Sequence, residues 1–250
     1  MKKLAIIAAA ALVAVCCTTK VNLQDAIDEL EAQMTAVYEN EDLSPEEADA
    51  EITALLCDAY ANHPSDSLGA VAFKTLVTNY WSTEQALEEY ENASEYIKSD
   101  ALISTKVESI KHAADVVAGK PYIEISGPDA LSGETLCIGD ILKEGKPVLV
   151  DFWASWCNPC RREIKDHLLG LKASGEVNII GIAVWEDGLE DTRAAMSELG
   201  ITWPVIYTGG RADSPSIRYG VLGIPTLFLL APDGTILGSA HSVTDLEGLY

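Results

Sequence analysis

Leu23, Ile27, Leu30, Met34 and Val37 recur at alternating four- and three-residue spacing, which predicts a helix with one apolar stripe. Ser44-Pro45-Glu46-Glu47 supplies a cap serine, a proline at the first helical position and a capping-box glutamate. Ile52, Leu55, Leu56 and Ala59 then continue an apolar face. His63-Pro64-Ser65-Asp66 interrupts the pattern, and Leu68 to Tyr80 predicts a third helix. Ser82 to Gln85 reads as another capping box, opening a helix through Tyr90 and Ile97. Ile103, Val107, Ile110, Ala114 and Val117 place a last stripe on one side, which Gly119-Lys120-Pro121 ends. Residues 18–118 therefore read as an all-helical region.

From Pro121 the period changes. Tyr122 to Ile125 alternates like a half-buried strand, with Thr135 to Ile138 as its hairpin partner. Pro147 to Trp153 is almost wholly apolar, as a parallel strand buried on both faces should be. A helix from Cys157 to about Ala173 follows, then a buried strand from Val177 to Val184. Asp187, with Glu190 completing its box, can cap a helix through Leu199. Val205 to Tyr207 is a short strand. Thr226 to Leu230 and Thr235 to Gly238, joined by Pro232-Asp233-Gly234, form an antiparallel hairpin. Residues 119–250 are thus an α/β domain, a βαβα core followed by a hairpin, with room for only a short helix after Val243.

The first residues have a different character. Met1-Lys2-Lys3 is a positive start and Leu4 to Val15 an unbroken apolar run, too short for a comfortable membrane span. Residues 1–17 therefore read as an export signal; the alternative is an uncleaved anchor. Either way the folded part is extracytoplasmic, in a bacterial periplasm or cell envelope. Cys16 and Cys17 resemble a bacterial lipoprotein processing site, where one cysteine is acylated; the choice between them stays open. Net charge sharpens the picture. The chain carries −22, with 21 acids against 6 bases between residues 20 and 120. So acidic a surface repels phosphate backbones and argues against nucleic acid as a partner. The eight acids from Glu31 to Glu51, with no base among them, read as a solvated face.

Cys157-Asn158-Pro159-Cys160 stands at a helix start directly after a buried strand. The first helical N–H groups lack partners there and the helix dipole is positive, so both favour a thiolate. An ordinary thiol, with a pKa near 8.5, is about 3% ionised at neutral pH, whereas one lowered to about 7 is roughly half ionised. Cys157 is then the nucleophile. Cys160, one turn further in, is the resolving thiol that attacks a mixed disulfide. A zinc site would need a second ligand pair that the sequence lacks, so no metal is expected. A purely structural disulfide closing so small a loop would stabilise little.

The run from Val148 to Cys160 resembles the active-site segment of the thioredoxin superfamily, and more narrowly the TlpA/ResA-like membrane-anchored thiol–disulfide oxidoreductases. Gly200 to Val205, Tyr219-Gly220-Val221, Gly223-Ile224-Pro225-Thr226 and Pro232-Asp233-Gly234 support the match, which covers residues 119–250. The resemblance implies a thioredoxin-like fold, a central mixed sheet flanked by helices, preceded here by the helical region. It implies that Pro225 is a cis-proline facing the Cys157–Cys160 turn and that Ile224 offers backbone groups to an extended substrate. Pro159 stiffens the turn and Trp156 shapes the rim, whereas Trp153 and Trp203 belong to the core. Asp151 is conspicuous independently, because a carboxylate among Val148, Leu149, Val150, Phe152 and Trp153 is expensive to bury. Desolvation would raise its pKa and suit it to take and return the Cys160 proton; it matches the buried acid of thioredoxin. Glu163 matches an acid that ResA-like proteins hold near the site, although a first-turn glutamate is equally ordinary helix-dipole chemistry.

Cys57 and Cys137 fall in no motif and are expected to be free buried thiols; a disulfide between them is the alternative, which spacing does not decide. The four histidines are scattered, with structural or solvated roles. Together these features imply an exported reductase of protein disulfides, with the Cys157–Cys160 pair as redox-active disulfide and no other cofactor. Its expected partners are exported proteins with disulfides or thiols, a membrane electron donor, and the membrane itself through a lipid anchor. A thiol oxidase or disulfide isomerase using the same turn is the alternative. A lipoprotein binding module with incidental thiols is a second. A peroxidase fits less well, since such enzymes generally set a peroxidatic cysteine beside Pro and Thr.

Overall fold

The computed structural model describes residues 22–210 and 214–250; Cys16, Cys17 and the rest of the export segment lie outside the described residues. Among the described residues no helix is long and apolar enough to cross a membrane. The chain divides into two compact units between Val107 and Glu108, within the last helix of the acidic region.

The first unit comprises α1 (Leu23–Tyr38), α2 (Pro45–Asn62), α3 (Ser67–Asn79), α4 (Thr83–Asn92), α5 (Glu95–Ser99) and the start of α6 (Ala101–Ala113). Leu30 and Val37 of the first stripe pack with Ala48, Ile52, Leu56, Leu68, Ala72 and Leu76. Phe73 is fully buried, its ring edge-on to Tyr60 and Trp81 at 5.0 and 5.1 Å. The box at Ser44 is complete: its hydroxyl accepts the Glu47 N–H while the Glu47 carboxylate accepts the Ser44 N–H.

Two helical expectations are corrected. The helix expected from Ser82 through Ile97 is broken at Ala93-Ser94, because Ser94 takes an extended backbone and its hydroxyl caps the Ile97 N–H. The last stripe also ends early. The helix stops at Ala113, after which Val116 turns inward and Val117 is left exposed.

The second unit opens with a two-stranded antiparallel ribbon, β1 (Ser126–Pro128) and β2 (Thr135–Cys137). The expected strand at Tyr122–Ile125 does not form. Glu124 instead turns its carboxylate to the N–H groups of Ile138 and Gly139, which start α7 (Ile138–Leu142), so that the partner strand expected through Ile138 ends at Cys137. Next come β3 (Val148–Trp153), a helical run of α8 (Asn158–Glu163), a π-helical turn (Ile164–Leu168) and α9 (Leu169–Ser174), then β4 (Asn178–Ala183). They are followed by α10 (Leu189–Leu199), β5 (Val205–Tyr207), α11 (Pro215–Arg218), β6 (Thr226–Leu230), β7 (Ile236–Ala240) and a closing 3-10 turn (Val243–Leu246). Asp187 does not cap α10. Gly188 occupies the cap position without a side-chain bond, and Glu190 pairs with Arg193 instead.

The five-stranded sheet has the order β5-β4-β3-β6-β7, parallel across its first three members and antiparallel beyond. Alternation along fully buried β3 sorts the core. Leu149 and Trp153 pack with Cys160, Ile164, Leu168, Met196 and Leu199 on one face. Val148, Val150 and Phe152 pack with Ile138, Ile141, Tyr219 and Val221 on the other. This is the mixed sheet, covered on both faces, that the resemblance implies. By the same alternation Asp151 points to the face occupied by Cys160.

Candidate active site

The site is assembled where β3 ends. Ala154 to Trp156 turn the chain, and Cys157, in an extended conformation, becomes the N-cap of α8 with Pro159 in the first turn. Its sulfur accepts the Cys160 N–H at 3.2 Å. An unpartnered helix donor is thereby satisfied by sulfur, and the sulfur sits at the positive end of a run continuous to Ser174. Cys157 and Cys160 are joined by a disulfide, and both are buried. Trp156 is 50% exposed beside them, and Pro159 also faces solvent.

A second loop comes in from the start of β6. The Ile224–Pro225 peptide bond is cis. The Ile224 carbonyl oxygen lies 3.7 Å from the Cys157 sulfur, a contact rather than a hydrogen bond while that sulfur is in a disulfide and has no proton. The Pro225 carbonyl is engaged by Nδ1 of His241 at 2.7 Å. Thr226 Oγ1 donates to the Gly223 carbonyl at 2.7 Å, tightening the loop.

Behind the disulfide are two buried carboxylates. Asp151 is 1% exposed, and its Oδ2 has no hydrogen-bond partner among the described residues. Burial, and secondarily the charge of Glu163, pushes it up to about 8. Glu163 is 8% exposed and differently served, since its Oε1 accepts the Val243 N–H at 2.7 Å and the Ser242 hydroxyl at 3.2 Å. The structure therefore brings Asp151, Glu163, Cys157, Cys160, Trp156, Pro159, Ile224 and Pro225 to one end of the sheet.

Several contributors had no role in the sequence reading. Glu186, buried at the end of the β4 segment, accepts the Ser155 N–H and hydroxyl at 2.7 and 2.6 Å. Trp156 Nε1 donates to the carbonyl of Trp185, whose φ is +58°. Arg161 donates to the Ser155 carbonyl and pairs with Glu198 at 2.6 Å. Beside this turn lies an open cleft of about 400 Å³, lined by Trp156, Arg161, Glu186, Asp187, Asp191 and Glu198 among others. An acid just after an apolar strand was the signal for Glu186. Nothing local marks His241 or Ser242, whose partners lie 16 and 79 residues away.

Cys57 and Cys137 are free, as expected, but only half buried. Burial pushes the Cys57 thiol up, and a hydrogen bond to the Asp140 carboxylate at 3.1 Å does the same for Cys137. Among the described residues no cluster of three or more His, Cys, Asp or Glu side chains is placed to hold a metal ion.

Comparison with known proteins agrees with this geometry. The AhpC/TSA family model matches residues 118–238. The chain is 38% identical over 99 residues to the thiol:disulfide interchange protein HelX of Rhodobacter capsulatus, covering 38% of this chain and 52% of that protein. It is 35% identical over 127 residues to the thiol:disulfide interchange protein CycY of Rhizobium leguminosarum bv. viciae, covering 49% of this chain and 67% of that one. It is 30% identical over 132 residues to the thiol-disulfide oxidoreductase ResA of Bacillus subtilis, covering 49% and 70%. The chain thus spans about half to two thirds of the length of the curated relatives it matches. A disulfide at a helix tip, a cis-proline loop opposite it and this likeness lead to one assignment: the chain belongs to the ResA-like thiol–disulfide oxidoreductases of the thioredoxin superfamily.

Proposed function

We propose that the protein reduces disulfides of exported proteins by dithiol–disulfide exchange at Cys157 and Cys160. It acts outside the cytoplasm, held at the membrane by a lipid on Cys16 or Cys17, and is re-reduced by a membrane electron donor. The observation that carries the reading is the Cys157 sulfur at a helix N-terminus, accepting the Cys160 N–H and facing the Ile224 carbonyl.

In the reduced protein the Cys157 thiolate attacks one sulfur of a substrate disulfide; a mixed disulfide forms and the other substrate sulfur leaves as a thiolate that takes up a proton from water. Asp151 in its ionised form accepts the Cys160 proton. The Cys160 thiolate then attacks the Cys157 sulfur, forming the intramolecular disulfide and expelling the second substrate thiolate, to which the proton passes. Two electrons and two protons have moved to the substrate. With its pKa about 8, Asp151 is ionised in roughly a tenth of molecules at pH 7, enough for a base working near its own pKa. The substrate segment lies across Trp156, Pro159 and Pro225 and pairs with the backbone at Ile224. The disulfide is the only redox group the chemistry needs.

Insulin reduction driven by dithiothreitol tests this. Wild-type protein should accelerate it, and Cys157→Ser should abolish the acceleration; activity surviving that change would support a binding module with incidental thiols. Equilibration with glutathione fixes the direction. A potential near the reducing end of the range, about −270 mV, supports the reductase, and one near −120 mV would replace it with the oxidase.

A further inference from the structure

Two carboxylates buried within electrostatic reach of each other are not both comfortably ionised, so one of them carries the proton. Which one is decided by the hydrogen bonds each receives. Asp151 Oδ2 receives none among the described residues. Glu163 Oε1 receives the Val243 N–H and the Ser242 hydroxyl. The direction of the second bond follows from its surroundings. Ser242 Oγ accepts the Thr244 N–H at 3.4 Å and shares a hydrogen bond of 3.0 Å with the Thr244 hydroxyl, in which either can donate; with Thr244 as that donor, the serine proton serves the carboxylate, which when ionised can only accept.

We propose that Ser242 is a positioning residue: with the Val243 N–H it holds Glu163 as the anion of the buried pair, so that the exchangeable proton resides on Asp151. Glu163 thus becomes a fixed negative charge behind the disulfide, and Asp151 the group that gains and loses a proton during exchange. The inference rests on the proposed exchange chemistry only for its use; the placement of the proton stands on the hydrogen bonds. Among the described residues Glu163 is the one charge that displaces Asp151, and Glu190, Asp191 and Glu198 of α10, which packs on the same face, are exposed. The flanking strands β4 and β6 carry no titratable side chain. The α8 helix offers Cys160, tied in the disulfide, and Arg161, engaged with Ser155 and Glu198. Arg162, Lys165, Asp166 and His167 on the same helical run, and His241 and Asp245 about the closing 3-10 turn, are exposed. Burial, followed by the charge of Glu163, accounts for the upward displacement of Asp151.

The test is carboxyl-carbon NMR titration of the oxidised full-length protein in detergent, with Asp151→Asn and Glu163→Gln assigning the two resonances. A step near pH 8 is expected to belong to Asp151 and to vanish in Asp151→Asn. Ser242→Ala should raise the Glu163 step by about one pH unit, the loss of one hydrogen bond to a charged group, and Ser242→Thr should restore it. Glu163→Gln should lower the Asp151 step. A purely structural serine would leave the titrations in place. The proposal is overturned if the Glu163 resonance titrates above that of Asp151, or if Ser242→Ala leaves its step unmoved. Insulin reduction is assayed separately on the same samples. Its absence beside the expected titrations would remove the exchange reading and leave the proton placement standing.

Discussion

Glu186 accepts both the backbone N–H and the side-chain hydroxyl of Ser155, one on each carboxylate oxygen, at 2.7 and 2.6 Å. The chain after β4 thereby grips the turn that delivers Cys157, and Trp156 adds a third link by donating to the Trp185 carbonyl. Glu186→Ala leaves both Ser155 groups without this partner and should cost about 2–3 kcal/mol. Glu186→Gln keeps the amide oxygen for the Ser155 N–H, and the serine hydroxyl can accept from the new NH2, so its cost should stay below about 1 kcal/mol. Urea unfolding of the three proteins measures the difference. Equal losses for the two variants would mean that the bidentate grip is not what stabilises the turn.

Asp151 makes stability depend on pH in a stated direction. Its carboxyl is raised to about 8 in the folded protein and titrates near 3.9 when unfolded. Between those values the folded state holds the extra proton, so stability falls as pH rises through that window and levels off above pH 8. Asp151→Asn removes the ionisable group and should flatten this decline. The variant should gain roughly 2 to 5 kcal/mol on wild type at pH 9 while changing little near pH 4. Thermal unfolding of the oxidised proteins across pH 4–9 provides the check, and parallel curves would show that Asp151 ionises without penalty.

Gly220 has a positive φ of +62°, and a Cβ there would lie 2.4 Å from the Ala113 Cα, at the end of α6. Gly133 has a similar φ of +75°, and a Cβ there would meet nothing within 4 Å. Alanine at Gly133 should cost about 1 kcal/mol for the left-handed backbone alone. At Gly220 the same strain is joined by a backbone clash that no rotamer relieves, and the loss should reach about 3 kcal/mol or more. Comparing the two variants by chemical denaturation isolates the close approach of α6.

The parts legible in the sequence were those written in local patterns. The apolar run Val148–Trp153, the cap serine at Ser44 and the Cys157–Cys160 spacing all act within a few residues, and each forms where it was expected. The buried acid was legible for a related reason: a single carboxylate in an apolar strand has no local explanation. Misreadings arose where a side chain overruled a period. Ser94 capped a new helix inside a continuous pattern, and Glu124, its carboxylate taken by the Ile138 and Gly139 N–H groups at the start of a helix, lies in a segment that alternation alone made a strand. Glu186, His241 and Ser242 were invisible as site residues because their partners are brought to them only by the closed sheet.

The four described cysteines should differ sharply in reactivity once the disulfide is reduced. Cys157 stands at the tip of a helix, where N–H groups and the dipole favour its thiolate. Cys57 is held above the ordinary thiol range by burial, and Cys137 by the Asp140 carboxylate that its S–H meets. Both are therefore less ionised at pH 7 than an ordinary thiol, itself only about 3% ionised there, against roughly half for a thiol near 7. Lower basicity makes the Cys157 thiolate a somewhat weaker nucleophile, which reduces but does not cancel the advantage. After reduction, brief exposure to iodoacetamide at pH 7 and peptide mapping should find Cys157 alkylated about five- to tenfold faster than Cys57 or Cys137. Cys160, 1% exposed behind it, should react slowest. Raising the pH to 9.5 should narrow the gap between Cys157 and the two free thiols, because their ionised fractions then converge. A gap that persists unchanged would place its origin in access rather than in charge.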